Sequence, residues 1–353
     1  MKATWCRRGG KRGGVSAEPD LDPCRLLEAL RLNYGLSLEI ATFVPDGTAP
    51  AYRAEGQDGR FFVKLLPHTP YGRAASTRLR AEMPLLRALR EEQILPQVPQ
   101  PLRALDGAQL TTVGDAGVAV YGWIDAVNLS SAWRAALPEL APLLGRLHGG
   151  SPQLMGRLGT LPMPPEDFGL PFTAELRDDL TALQGLTPDA RPALHELRAL
   201  LTPYDAQLQH LLALALKSQE VIRSRPQDLV VCHTDAHGGN VMRDAAGELW
   251  LVDWESARLA PPEHDLWMLH SRLPEVLPAY EAALGCRIRL DAEVLAFYFY
   301  RRVLEDLAVD MAAMRRGNTR PEDDAETLRI IRDFVLPAAS RAEEEYQALM
   351  ARL

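Results

Sequence analysis

The sequence predicts an α+β chain: a strand-rich stretch from about Leu21 to Tyr121, carrying one helix, followed by a mostly helical remainder. Three observations carry that reading. Leu38 to Val44, Ala51 to Ala54 and Arg60 to Leu65 are apolar or alternating runs separated by turn residues, the pattern of strand, turn, strand, turn, strand. Beyond Gly122 the apolar spacing is helical. A polar run, His233 to Asn240, interrupts the helices between two short strand-like stretches, Asp228 to Cys232 and Leu249 to Val252.

Residues 1–20 carry Lys2, Arg7, Arg8, Lys11 and Arg12 among glycines with no apolar stretch, which reads as a disordered basic arm and not a secretory signal. The turn after the first strand holds Gly47 and Thr48, small residues whose amides have room to approach phosphates. Lys64 sits among Phe61, Phe62, Val63, Leu65 and Leu66, so it needs an exposed face or a partner. The candidate partner is Glu82, at the edge of the apolar stripe Leu79, Met83, Leu86 and Leu89 of a helix over Ala75 to Arg90. Pro84 should make that helix begin near Glu82 or kink there. Val120 to Ile124 marks a hinge, dividing a unit at 21–121 from one at 122–353. Helices are expected over Pro192 to Arg225, Asp291 to Arg315 and Asp324 to Arg352, and the Pro-, Gly- and Met-rich stretch Gly156 to Gly169 is expected to be a mobile pocket edge.

Composition narrows the class. The 353-residue chain has room for two domains, and no run of about eighteen apolar residues suggests a membrane span. Cys6, Cys24, Cys232 and Cys286 lack paired spacing, against a disulfide framework or zinc ribbon, so a reducing cytoplasm is expected. A net charge of −8 argues against nucleic acid as a partner.

The polar loop carries the chemistry. Phosphoryl transfer needs divalent ions on the phosphate oxygens, a group to take or steer the acceptor proton, and fixed geometry. Asn240 and Asp253 supply two hard oxygen ligands of the kind Mg²⁺ takes. Asp235, five residues before Asn240, is the candidate base. His233 is read as a brace of the turn, and His237 as packing. Cys232, His233, Asp235 and His237 also raise a zinc site as an alternative. The remaining histidines show no spacing that completes a hydrolytic centre.

Taken together, Lys64, the hinge run Val120-Tyr121-Gly122-Trp123-Ile124, Leu144-Gly145-Arg146-Leu147-His148, His233-x-Asp235-x-x-x-x-Asn240, Leu251-Val252-Asp253-Trp254-Glu255 and Leu259 to Leu266 resemble the aminoglycoside phosphotransferase family over about residues 25–310. The resemblance implies a two-lobed protein-kinase-like fold, with a small antiparallel-sheet N-lobe and a larger helical C-lobe. It also implies Asp235 as catalytic base, Asn240 and Asp253 as Mg²⁺ ligands, and Lys64 on the phosphates of ATP or GTP. Backbone groups near Tyr121, Gly122 and Trp123 would hold the base, and Asp265 would anchor the catalytic loop. Asp265 also reads as a helix N-cap. Asp253-Trp-Glu and Ala260-Pro-Pro-Glu-His-Asp are most similar to the spectinomycin-type branch. The chain departs from protein kinases: it has no Arg between His233 and Asp235, no Phe-Gly after Asp253, and no room before Asp265 for a peptide-docking activation segment.

The acceptor is expected to be a small cationic molecule, an aminoglycoside or aminocyclitol, phosphorylated on a hydroxyl. Asp306 and Asp310 lie four residues apart on one helical face and could hold an ammonium group, unless that face simply pairs with Arg301 and Arg302. Glu255 is a third acceptor candidate, and Tyr298, Phe299 and Tyr300 suggest an aromatic box. The alternatives are a choline, homoserine, methylthioribose or sugar-amine kinase, and a catalytically idle kinase-like binding protein.

Overall fold

A computed structural model describes residues 18–45, 49–159 and 163–353. Gly47, Thr48 and most of the basic arm lie outside the described residues.

The chain enters through α1 (Pro23–Tyr34), which the sequence reading did not separate from the strand-rich stretch. Its signal was local: Asp22 caps the helix by accepting from the Cys24 amide at 2.9 Å, and Pro23 occupies the first turn. Leu26, Leu30 and Tyr34, spaced four apart, turn one face into the N-lobe core.

Strands β1 (Leu38–Val44), β2 (Ala51–Gly56), β3 (Gly59–Leu66), β4 (Thr111–Val113) and β5 (Ala116–Gly122) form an antiparallel sheet in the order β1-β2-β3-β5-β4. Alternation along β3 sorts its residues. Val63 and Leu65 join Tyr52, Val118 and Val120 under α1, while Phe62 and Lys64 face the other way, into a cavity. Lys64 lies opposite Ala51 on one neighbouring strand and Ala119 on the other. Those methyl groups leave the lysine stem its space.

Helix α2 (Pro70–Glu91) corrects the expected boundary. It begins at a Thr69 cap, whose hydroxyl accepts from Gly72 N at 3.1 Å, and it continues through Pro84. Burial outweighs the lost hydrogen bond: Leu79, Met83, Leu85, Leu86 and Leu89 are all inaccessible to solvent. These side chains belong to the large C-lobe core and not to the small core under α1.

The C-lobe is helical: α3 (Leu137–Gly149), α4 (Ser151–Leu158), α5 (Thr173–Gln184), α6 (Pro192–Leu201), α7 (Asp205–Arg223), α8 (Glu263–Leu266), α9 (Leu273–Leu284), α10 (Ala292–Ala312), α11 (Pro321–Ile330) and α12 (Leu336–Met350). The helix expected over Pro192 to Arg225 is broken at Thr202–Tyr204, where Pro203 cannot continue the hydrogen-bond ladder. π-helical turns at Ala313–Gly317 and Ile331–Val335 separate the last three helices. β6 (Ala126–Asn128), β8 (Val241–Asp244) and β9 (Leu249–Leu251) form one small antiparallel sheet, and β7 (Val230–Cys232) pairs with β10 (Arg258–Ala260). Among the described residues no helix is long and apolar enough to cross a membrane.

The expected mobile edge is pinned where it is described. Pro165 bridges to Leu259, Glu166 N donates to Leu259 O at 2.7 Å, and the Glu166 side chain is fully buried.

Candidate active site

The turn between β7 and β8 is fixed from below by a buried polar chain. Asp265 accepts the backbone N–H groups of His233 at 2.9 Å and Thr234 at 2.6 Å. It also binds His148 Nε2 at 3.0 Å, and His148 Nδ1 meets the Tyr280 hydroxyl at 2.7 Å. Asp265 is therefore a loop anchor. It does not cap its own helix, α8, which has no side-chain cap.

His233 is a brace. Its Nε2 donates to Val252 O at 3.0 Å and its Nδ1 accepts from Asp235 N at 3.2 Å, which fixes the neutral tautomer. Burial drives its pKa below the usual imidazole value, against the pull of Asp265 and Asp235. An edge contact with Trp254, ring centres 4.6 Å apart, holds the ring. Thr234 between them has φ of 72° and Asp253 has φ of 68°. Left-handed backbone at non-glycine residues, one of them β-branched, concentrates strain where two loops must present side chains.

Asp235 has three side-chain neighbours. Asn240 Nδ2 donates to its Oδ2 at 3.1 Å, His237 Nε2 lies 3.4 Å from that oxygen, and Arg302 Nη1 approaches Oδ1 at 3.4 Å. Burial would raise the carboxyl, but the hydrogen bond and charge of His237, with Arg302 behind, outweigh it and hold the pKa well below the carboxylate range. His237 is thus more than packing. Gly238 follows it because a Cβ there would press on Ser130 O and lie 2.7 Å from the Trp133 ring.

Asn240 Nδ2 is committed to Asp235, through the backbone oxygen at 2.9 Å as well as the carboxylate. That orients the amide and leaves Oδ1 as its available acceptor. Asn240 and Asp253 line a cavity of about 410 Å³ together with Lys64, Glu82, Tyr121, Gly122 and Trp123. Phe62, Ile124, Met242 and Val252 give this cavity apolar walls suited to a planar base. Carboxylate and carboxamide oxygens at one end fit a hard cation such as Mg²⁺.

The expected Lys64–Glu82 pair is not formed. Lys64 Nζ pairs with Glu255, and Arg78 Nε holds the other Glu255 oxygen at 3.2 Å. Burial would lower the Lys64 pKa, but Glu255, Asp253 and Glu82 together raise it. Glu82, 6% exposed, accepts from the Tyr121 hydroxyl at 3.3 Å, and among the described residues its Oε2 has no hydrogen-bond partner. Burial pushes its carboxyl up to about 8, with Lys64 opposing.

A second cavity, about 230 Å³, opens on the other side of Asp235 and is lined by Thr234, Ser256, Arg258, His264, Trp267, Tyr298, Arg301, Arg302 and Glu305. The three acceptor candidates are not among its lining. Glu255 is taken by Lys64 and Arg78, Asp306 pairs with Arg302 Nε at 3.5 Å, and Asp310 is 1% exposed. Of the aromatic box only Tyr298 lines the cavity, stacked on His264 with centres 4.0 Å apart. Arg301 and Arg302 read in sequence as counter-charges to Asp306 and Asp310, and their adjacency was the one available signal; Arg258 carried none.

The zinc alternative does not assemble. Among the described residues the one potential metal-ligating group is His148, Cys232 and Asp265, all buried, and its atoms are spent on one another, on Tyr280, on backbone amides and on the carbonyls of Ala260 and Pro261.

No curated protein sequence matches this chain. Solved structures do. Spectinomycin phosphotransferase, in complex with ADP and spectinomycin, is 19% identical with a TM-score of 0.71, covering 92% of this chain and 99% of its own. An aminoglycoside phosphotransferase from Alicyclobacillus acidocaldarius is 16% identical, TM-score 0.62, over 98% and 99%. A microcompartment-associated aminopropanol kinase is 17% identical, TM-score 0.62, over 93% and 98%. These likenesses fix the two-lobed kinase-like fold. The model of the phosphotransferase enzyme family matches residues 40–298, so this chain belongs to that family.

Proposed function

We propose that the enzyme moves the γ-phosphate of ATP or GTP to a hydroxyl of a small molecule, with the nucleotide in the larger cavity and the acceptor in the smaller one. The observation that carries this is the shared wall. Asn240 lines the first cavity, Asp235 lines the second, and a 3.1 Å hydrogen bond joins them. A phosphoryl group leaving one cavity therefore meets an acceptor in the other beside a carboxylate.

Each residue then has a task. Asp235, kept ionised by His237 and Arg302, takes the acceptor proton on the oxygen facing the second cavity. Lys64 exchanges Glu255 for nucleotide phosphates. Tyr121 to Trp123 hold the base, and Glu82 stands behind Lys64. Asn240 and Asp253 would hold Mg²⁺, which when bound neutralises phosphate oxygens. Strained backbone at Thr234 and Asp253 fixes base and metal ligand relative to each other.

The cationic acceptor expected from sequence loses its intended carriers, Asp306 and Asp310. Glu305, on the cavity wall, is the feature that keeps an aminocyclitol in the test. The test is release of ADP from MgATP and of GDP from MgGTP across an acceptor panel that starts with spectinomycin and includes an acceptor-free control, with mass spectrometry of the product. Release that depends on one acceptor, with phosphate found on it, supports the reading. ADP release at the acceptor-free rate throughout, with no phosphorylated product, counts against it.

A further inference from the structure

The acceptor-side cavity brings three guanidinium groups into about 230 Å³: Arg258 from β10, and Arg301 and Arg302 from α10. The carboxylate contacts of Arg258 and Arg301 are long. Arg258 Nη1 lies 3.4 Å from Glu166 Oε2, and Arg301 Nη1 lies 3.4 and 3.5 Å from the two Glu166 oxygens. Arg302 reaches Asp235 at 3.4 Å and Asp306 at 3.5 Å. A well-made charge-assisted bond is shorter, about 2.7–2.9 Å. Arg258 donates from Nε to Ser256 O and from Nη1 to Glu166, and Arg301 from Nη1 to Glu166, so among the described residues Nη2 of each is left for a ligand.

The negative charge nearby is turned away from a ligand. The Glu166 side chain is fully buried beneath the arginines, also accepts from Phe168 N at 2.9 Å, and faces His264 Nδ1 at 3.2 Å. It neutralises and aligns Arg258 and Arg301 from behind. Of the carboxylates lining the cavity, Asp235 is the base and Glu305, 41% exposed, sits 3.9 Å from Arg301 at the solvent side. A cationic acceptor here would meet three guanidiniums. A carboxylate or phosphate would meet planar donors matched to its oxygens. The volume lies below the roughly 300–1,000 Å³ of pockets for drug-sized ligands, which suits an acceptor of few atoms.

We propose that this cavity takes a small hydroxylated anion, its carboxylate or phosphate held by Arg258, Arg301 and Arg302 and its hydroxyl presented to Asp235. The proposal rests on the phosphotransferase reading for the role of the hydroxyl. Arg258 and Arg301 are specificity residues, and Arg302 both lines the anion site and steadies the base.

The test uses one carbon skeleton with different head groups. Glycerate, glycerol 3-phosphate, glycerol and 3-aminopropane-1,2-diol are titrated calorimetrically into the full chain with MgADP, and each is then offered as acceptor with MgATP. Glycerate or glycerol 3-phosphate should bind at least about 10-fold more tightly than the neutral and cationic compounds, and whichever binds names the source of the charge. Arg301→Ala should weaken that binding about 10- to 100-fold and leave MgADP affinity unchanged. Arg258→Lys, which keeps the charge over Glu166 but loses the fork, gives the same readout if Arg301→Ala does not fold. Equal or tighter binding of glycerol or the amine, no anion binding, or anion binding that neither variant weakens would overturn the proposal. Anion binding without ADP release from any acceptor leaves the site standing and removes the phosphotransferase reading. Release with spectinomycin or the amine, without anion binding, does the reverse.

Discussion

Asp235 is poised by three hydrogen-bonding neighbours, and its variants separate chemistry from binding. Asp235→Asn should lower turnover about 10²–10⁴-fold, the usual loss for a general base, with nucleotide affinity kept; ADP release and calorimetry on the same preparation check both halves. Asp253→Ala should instead remove the metal dependence of nucleotide binding. Calorimetry with and without Mg²⁺ would show two equal affinities in the variant and unequal ones in the wild type. At this scale much was legible. Asp235 and Asn240 share one turn between β7 and β8, and the β8–β9 hairpin brings the chain back so that Val252 N, next to Asp253, donates to Asn240 O at 2.9 Å. Arg302 was not legible as a neighbour of Asp235. It arrives from α10, 67 residues away, through packing that no local pattern encodes.

At the scale of elements, α2 and α3 carry the buried groups that shape the site. Glu82 on α2 has a folded-state pKa of about 8 against an ordinary value of 4.5. The folded chain therefore keeps a proton that the unfolded chain loses, so this contribution is complete below 4.5 and is lost as pH rises through about 8. Urea midpoints of the nucleotide-free protein should fall across that window, and Glu82→Gln should flatten the fall. An unchanged slope would contradict the raised pKa that burial gives this carboxyl. Helix α3 carries His148 to Asp265, and Gly145 lets it lie close to α9: a Cβ there would press on the Tyr280 carbonyl and sit 2.9 Å from Ala283 Cβ. Gly145→Ala should cost about 1–3 kcal/mol by overpacking, read as a lower denaturation midpoint. The Leu-Gly-x-Leu-His run was recognisable in sequence, but its partner helix was not. Pro84 misled for a physical reason. Proline propensity is local, while five buried apolar side chains on α2 are a tertiary gain.

For the whole molecule, the two lobes are not independent bodies with a cleft between them. Helix α2, Leu66 and Tyr121 pack into the C-lobe core, and Lys64 reaches Glu255 across the cavity. Any closure over nucleotide must work around that shared core. The fold was readable because strand period, helix period and the polar loop all agreed. The lining of the second cavity was not. A net charge of −8 describes the whole chain, whereas the second cavity is lined by three arginines from two elements, two of them over one buried glutamate. The most direct measurement is acceptor-dependent ADP release by wild type and Asp235→Asn side by side, with mass spectrometry of the acceptor. The prediction is phosphate on an acceptor hydroxyl with wild type and a loss of about 10²–10⁴-fold in the variant. Equal release by the two proteins, or release without a phosphorylated acceptor, would contradict phosphoryl transfer at this site.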